Sequence, residues 1–350
     1  MSKPTNAPLK KIIAFYVRFT PSYSKIGYHA RSLLWRRLQP DFRGQTWLVA
    51  GGSEGIGGSA ARSAVAAGAR VICVGRSAGK LADFAASTAA PERVVAEVAD
   101  FSLLADVRAL LGRLQARGEK VDVLVNNVGI QKRDQIITRE GLETSFATNI
   151  LSHYLFTREM LSRGLLADDA TVIEVSSGGM YNHPLVVRDL NITGPGYVGV
   201  RAYGLSKRAQ VVLTQHWRQV HAGTARRFYA MHPGWVDTAA VGRSMPRFRA
   251  TLKSVLRKDP QGADTIVWLA HTRPEQSRDE AIWFDRKERT AHIFPRTRAT
   301  TDTTASLVAF LESASKTGAH GATPTDGDPA ASSARFAEAP AGTQQAVRAG

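Results

Sequence analysis

Tyr203 and Lys207 stand four positions apart in a stretch of helical periodicity, so both side chains fall on one face. An ammonium beside a phenol favours the phenolate and should lower a pKa that starts near about 10. A phenol so tuned can hand a proton to a developing alkoxide, or take one from an alcohol, near neutral pH. Ser176 and Ser177 follow the run ATVIEV at 170–175, which reads as a strand. Their hydroxyls then sit at the carboxyl end of a sheet, where reactive centres of open α/β sheets gather. A third group follows the apolar run TWLVA at 46–50: Gly51-Gly52-Ser53-Glu54-Gly55-Ile56-Gly57, then an Ala-rich helix. Gly51 permits a tight turn, Gly55 lets backbone approach a phosphate, and Gly57 lets the helix pack on the strand. The helix start offers free N–H groups and a positive dipole end to a pyrophosphate.

The second strand, RVICVG at 70–75, ends at Gly75 and is followed by Arg76. A cofactor without a 2′-phosphate is usually held there by an acid on its ribose hydroxyls. A guanidinium instead suits a phosphate. Glu54, in the glycine loop, speaks the other way. Arg76 carries more weight because it can touch the phosphate directly, so NADP(H) is expected ahead of NAD(H).

These residues need a scaffold that delivers them to one edge. Strand-like runs at 46–50, 70–75, 93–98, 121–126, 170–175 and 226–231 alternate with helical periods near 56–67, 102–117, 140–162 and 202–221. The strands are continuous and rich in Val and Ile, as in a parallel sheet covered on both faces. The expected fold class is α/β, a Rossmann-type doubly wound parallel sheet forming a single domain over 44–314. A basic amphipathic leader occupies 1–43. From 315 to 350 Ala, Gly, Thr, Pro and Ser dominate, and a disordered tail is expected.

In order and spacing, these segments resemble the short-chain dehydrogenase/reductase family from about 46 to 290. VAGGSEGIG is similar to its glycine motif, Asp100 to its adenine contact and Asn126-Asn127-Val128-Gly129 to its N-N-A-G segment. Asn149 stands in a segment like the helix bearing its active-site asparagine. Val175-Ser-Ser-Gly resembles its serine segment, and Pro233-Gly234 with Thr238 resembles the loop beside the nicotinamide. The retinol-dehydrogenase-like branch is similar in layout. The resemblance implies an NAD(P)-dependent oxidoreductase that interconverts a carbonyl and an alcohol. It implies Tyr203 as general acid/base, and Lys207 as the group that lowers its pKa and binds nicotinamide ribose. Ser177 would hydrogen-bond the substrate oxygen, Ser176 being the alternative. Asn149 would hold a water that relays protons through Lys207. Gly51, Ser53, Gly55, Ile56, Gly57, Arg76, Asp100, Asn127, Gly129, Pro233, Gly234 and Thr238 would line the cofactor with Tyr203 and Lys207. Ala50 and Val128 depart from the family pattern, which has threonine and alanine there. Ser177 and Tyr203 are 26 positions apart, and the intervening insertion 180–200, with Tyr181, His183 and Pro195, would help shape the substrate mouth. A homodimer or tetramer is the family's common assembly.

Composition closes off other classes. Of 350 residues, 43% are hydrophobic and 22% charged, which excludes disorder of the whole chain. No run of about 18 uncharged apolar residues is present. Cys73 is the only cysteine, which removes disulfide scaffolds and zinc knuckles; the nine histidines lack ligand spacing, so no metal is expected. Residues 1–20 lack a secretory signal pattern, and a cytoplasmic setting is the simplest. The net charge of +16 is uneven: residues 1–43 hold nine Lys or Arg against Asp41 alone, and a second acid-free basic block runs from Arg243 to Lys258. The leader, whose bases interleave with aromatic residues, either lies peripherally on an anionic membrane or wraps the domain. No nucleic-acid module accompanies the charge, so no nucleic-acid partner is expected. The remaining alternative to a carbonyl reductase is a non-catalytic dinucleotide-binding scaffold. Trp235 and Met245 border the loop expected at the substrate, where an apolar lining suits a lipophilic carbonyl compound.

Overall fold

A computed structural model describes residues 18–316, all within one unit. The tail expected from 315 lies, beyond Lys316, outside the described residues, as do leader residues 1–17.

A helical turn at 18–23 and helix α1 (Lys25–Ser32) precede the sheet. Strand β1 (Thr46–Ala50) leads through the glycine loop into α2 (Gly55–Ala66). Then come β2 (Arg70–Gly75), α3 (Ala78–Ala86), β3 (Val94–Val98), α4 (Leu104–Arg117) and β4 (Val121–Asn126). The second half holds α5 (Ser152–Ser162), β5 (Leu166–Val175), α6 (Gly199–Val220) and β6 (Arg227–Met231). Helices α7 (Ala239–Ser244), α8 (Pro246–Leu252) and α9 (Asp259–Thr272), strands β7 (Ala281–Phe284) and β8 (Lys287–Thr290), and α10 (Thr304–Lys316) complete it.

The eight strands lie in the order β3-β2-β1-β4-β5-β6-β7-β8, parallel except for the antiparallel β7–β8 pair. This is the expected Rossmann-type doubly wound sheet, and the winding reverses between β1 and β4, where Ala50 pairs with Asn126. Such a reversal opens a crevice at the carboxyl ends of the two strands. Alternation along each buried strand feeds two cores. Leu48, Ile72 and Leu124 face α4, α5 and α6; Val49, Cys73 and Val125 face α2 and α9. Cys73 is core, as its strand position implies.

Three features depart from the sequence expectation. The helix expected over 140–162 is broken: a π turn at Ala147–Leu151 precedes α5 and carries Asn149. The hairpin β7–β8 was not anticipated, because its turn residues are not glycines. Asp285 and Arg286 both take left-handed backbone angles, at φ 48° and 55°. Their side chains are tied from outside, Asp285 to Arg257 and Arg31, and Arg286 to Asp264. Finally, β5 begins at Leu166 rather than 170, with an irregularity in its register against β4.

The leader packs on the domain over its described part. Phe19 and Tyr23 join Met180, Tyr181 and Phe284 in a third apolar cluster. The Tyr23 carbonyl accepts from the Trp235 amide at 2.9 Å.

Candidate active site

Tyr203 and Lys207 lie in the second turn and third turn of α6, on one face, as their spacing requires. The Lys207 ammonium sits 5.6 Å from the centroid of the Tyr203 ring. It donates to the Val175 carbonyl, the last of β5, at 2.9 Å and is buried. The Ser177 hydroxyl accepts from the Gly179 amide at 3.3 Å, and Gly179 lies against the Tyr203 ring, so the hydroxyl and the phenol share one side of the site. Ser176 is used differently. Its buried hydroxyl donates to the Lys207 carbonyl at 2.8 Å and pins α6 to the end of β5. Of the two serines the sequence left open, Ser177 is the one that meets the phenol.

The electrostatics differ from the expectation. Burial pushes the Tyr203 phenol above its ordinary pKa, and the nearby Ser177 hydroxyl acts against that. Burial also pulls Lys207 down to about 8, opposed by the Glu174 carboxylate. The expected lowering of Tyr203 by Lys207 is absent because the ammonium lies over the ring rather than against the hydroxyl, and burial penalises both charged forms. At neutral pH the phenol therefore holds its proton.

Asn149 is locked by its neighbours. Its side chain accepts from the Ile130 amide and donates to the Ile130 carbonyl, each at 2.8 Å. Its own carbonyl accepts from the Gln210 side chain at 2.6 Å. A Cβ added at Gly129 would come to 3.3 Å from the Lys207 ammonium and 3.7 Å from the Asn149 amide oxygen. Gly129 thus marks the point where these two groups converge. The π turn that carries Asn149 is a feature common at functional sites.

The crevice between β1 and β4 fits a dinucleotide. Gly51 turns the chain at φ 76°, and a side chain at Gly57 would collide with the Gly51 carbonyl and the Asn127 amide. The Asn127 amide donates to the Ala50 and Gly51 carbonyls at 3.3 and 3.1 Å. It thereby braces the loop that the threonine missing at Ala50 would otherwise support. Glu54, the residue before α2, gives that helix no side-chain cap, so its first N–H groups face outward beside Ser53 and Ile56. Gly55 opens toward Thr238, which caps α7 through the Val241 amide at 3.2 Å. Pro233 and Gly234 stand alongside, fixed by Arg257: its guanidinium donates to the Pro233 carbonyl at 3.1 Å.

At the far end of the crevice, Arg76 lies 3.8 Å from Asp100 and is largely exposed. Asp100 also accepts from the Ser102 amide at 2.8 Å, so part of its carboxylate holds its own loop. Glu54 is neutralised by Lys80 at 2.7 Å and approached by Arg243 at 3.9 Å. A cleft there is lined by Ser53, Glu54, Arg62, Lys80 and Phe84.

The substrate mouth is only partly built from the residues expected. Tyr181 is buried and donates to the Thr290 carbonyl at 3.1 Å, so it packs core rather than mouth. His183 is wedged under α6, where its ring would meet a Cβ at Gly204. Pro195 is exposed, and Trp235 packs edge-on against Phe248 with centroids 5.2 Å apart. Two contributors were not read from the sequence. Tyr23 of the leader lies behind the serine loop, 3.1 Å from where a Cβ at Gly178 would be. Glu174 and His153 form a buried pair behind Lys207; a glutamate inside an otherwise apolar strand was the available signal. Among the described residues no three of His, Cys, Asp or Glu come together as a metal site, and no helix is long and apolar enough to cross a membrane.

Comparison with known proteins agrees with this geometry. The family description "short chain dehydrogenase" matches residues 45–247. Dehydrogenase/reductase SDR family member 12 of Bos taurus is 32% identical over 312 residues, covering 87% of this chain and 97% of that protein. Retinol dehydrogenases are among the other matches. A solved structure from Mycobacterium paratuberculosis superposes with a TM-score of 0.63 at 26% identity, over 79% of this chain and 96% of that one. An NAD(P)-dependent dehydrogenase structure from Beutenbergia cavernae, described as holding NADP at low occupancy, gives a TM-score of 0.53 at 25% identity, over 66% and 91%.

Proposed function

The chain belongs to the short chain dehydrogenase family of oxidoreductases, and from that premise we propose that it reduces a lipophilic ketone or aldehyde with NADPH, using Tyr203, Ser177, Lys207 and Asn149. The observation that carries this reading is geometric: the Tyr203 ring and the Ser177 hydroxyl converge at Gly179, 3.6 and 3.8 Å from where its Cβ would be, with the Lys207 ammonium over the same ring. A nicotinamide dinucleotide, when bound, supplies the hydride. Residues Gly51, Ser53, Gly55, Ile56, Gly57 and Thr238 would hold it, with Arg76 and Asp100 at its adenosine end. Ser177 orients the carbonyl oxygen by hydrogen bonding. Tyr203 delivers its proton to that oxygen as negative charge develops on it. Lys207 would hold the nicotinamide ribose, and Asn149 keeps the lysine's surroundings in place. A phenol that holds its proton at neutral pH is loaded for the reductive direction.

The NADP(H) preference rests on Arg76 and on the pairing of Glu54 with Lys80. The acid that would repel a 2′-phosphate has its charge matched by a neighbour. Arg76→Ala is expected to weaken NADPH binding about tenfold to a hundredfold, the worth of one charge-assisted phosphate contact of about 1.5–3 kcal/mol. NADH binding should change little. Fluorescence titration with both dinucleotides checks this; equal loss for both removes Arg76 from the phosphate.

The lipophilic substrate is supported by exposed apolar residues: Val198 and Val200 at the start of the helix that carries Tyr203, and Ile136 and Ile137 in the segment after β4. Peripheral contact with an anionic membrane is supported by Leu33 and Leu34, 85% and 88% exposed just before Arg36 and Arg37. Changing both leucines to serine should abolish flotation of the full chain with vesicles containing phosphatidylserine. Flotation unchanged by that double substitution would remove this contact.

A further inference from the structure

Behind Lys207 and Asn149 lies a buried polar unit that the reaction as described above does not use. Glu174 is the penultimate residue of β5, one before the Val175 whose carbonyl holds the Lys207 ammonium. Its carboxylate meets the His153 ring, Nδ1 to Oε1, at 2.6 Å. His153 comes from α5 and is fully buried, and Glu174 is nearly so. Gln210, one helical turn beyond Lys207 on α6, lies against the same imidazole and donates to the Asn149 carbonyl at 2.6 Å. Three elements thus send one polar side chain each into a space walled by Phe101, whose ring stands edge-on to His153. A short contact between a carboxylate and Nδ1 requires the ring to donate there. Gln210 then has only the Asn149 carbonyl as its acceptor.

A buried carboxylate is costly unless something nearby uses its charge. Asn126 is its register neighbour on β4, but the Asn126 amide is turned to Thr157 at 2.9 Å. Tyr203 and Ser177 lie together at Gly179. The next residue along the strand, Val175, holds the Lys207 ammonium through its carbonyl, which sets this carboxylate one residue from that cation.

We propose that Glu174, fixed by His153, is a positioning residue that sets a negative charge behind the Lys207 ammonium, while Gln210 ties the same unit to the Asn149 carbonyl. The pair thereby couples the two groups that converge at Gly129. Consistent with this, among the described residues it is the Glu174 charge that opposes the effect of burial on Lys207. The inference rests on the reading of Lys207 as part of the catalytic set.

The test needs neither cofactor nor turnover. In the full chain carrying isotope-labelled lysine, the Lys207 side-chain NMR signal is assigned by its loss in K207R and followed against pH. In the wild type it should titrate near 8. In E174Q, which keeps the shape and removes the charge, the midpoint should fall by about one pH unit or more. A second pair guards against loss of folding in that variant. H153Q keeps an N–H donor and should titrate like the wild type. H153L removes the donor that fixes the carboxylate in place, and Lys207 should move toward E174Q. A folded E174Q with an unmoved midpoint overturns the proposal, as does equal behaviour of H153L and H153Q. Failure of the carbonyl-reductase reading would appear elsewhere, as undiminished turnover in Y203F, and leaves this titration intact.

Discussion

Phenylalanine in place of Tyr203 is expected to lower kcat/KM by about 10²–10⁴-fold, the contribution of one well-placed acid–base group, while the dinucleotide still binds. The substitution removes a single oxygen. Ser177 lies beside the same ring, both neighbouring Gly179. The ring itself stays packed against Gly179, whose added Cβ would lie 3.6 Å from it, and the fold should not register the change. Ser177 would still hydrogen-bond the carbonyl oxygen, but no group within reach could supply the proton. Lys207 does not replace it, since its ammonium is held over the ring by the Val175 carbonyl. Steady-state rates and a parallel binding titration separate the two effects. Weakened binding with unchanged kcat would mean that the phenol serves the cofactor alone.

The second large effect concerns stability. Asp285→Asn should destabilise the chain by about 3–5 kcal/mol, the usual cost of stripping one partner from a buried ion pair. Arg257 is 1% exposed and meets the Asp285 carboxylate at 2.6 and 2.9 Å; Arg31 reaches the same group at 2.7 Å. Arg257 also donates to the carbonyls of Ser22, Tyr23 and Pro233. One carboxylate therefore neutralises the hub that joins the leader, the β7–β8 turn and the loop at Gly234. Asparagine still accepts the left-handed backbone at this position, so the loss is electrostatic rather than conformational. Urea denaturation should show a lower midpoint with an unchanged slope. Asp41→Asn, which breaks an exposed pair with Arg43, is the matched control and should leave the midpoint in place. Equal midpoints for both variants would show that the hub contributes nothing.

What the sequence disclosed follows from how locally each feature is encoded. The sheet was legible because buried parallel strands are continuous apolar runs, and TWLVA, RVICVG and VDVLVN are such runs. The glycine loop and the Tyr203–Lys207 face were legible because they depend on spacing of seven residues or fewer. The hairpin was not, because Asp285 and Arg286 adopt left-handed angles only under ties from Arg257, Arg31 and Asp264, all distant in the chain. The direction of the Tyr203 shift was missed for a similar reason. Spacing places an ammonium on the right face of the helix. It does not say that the ammonium will stop over the ring, nor how much burial raises the phenol. Glu174 and His153, 21 positions apart, meet only because α5 packs across β5. The choice between Ser176 and Ser177 needed the rotation of the strand end, which turns one hydroxyl into α6 and the other toward the phenol.

The central claim is that a hydride from the dinucleotide and a proton from Tyr203 reach the same carbonyl group. It is tested most directly by supplying NADPH deuterated at the transferable position of the nicotinamide with a panel of lipophilic ketones and aldehydes. The predicted result is an alcohol carrying one deuterium on its carbinol carbon, formed by the wild type and not by Y203F. Alcohol formed equally by both proteins, or deuterium found only in the solvent, would contradict it.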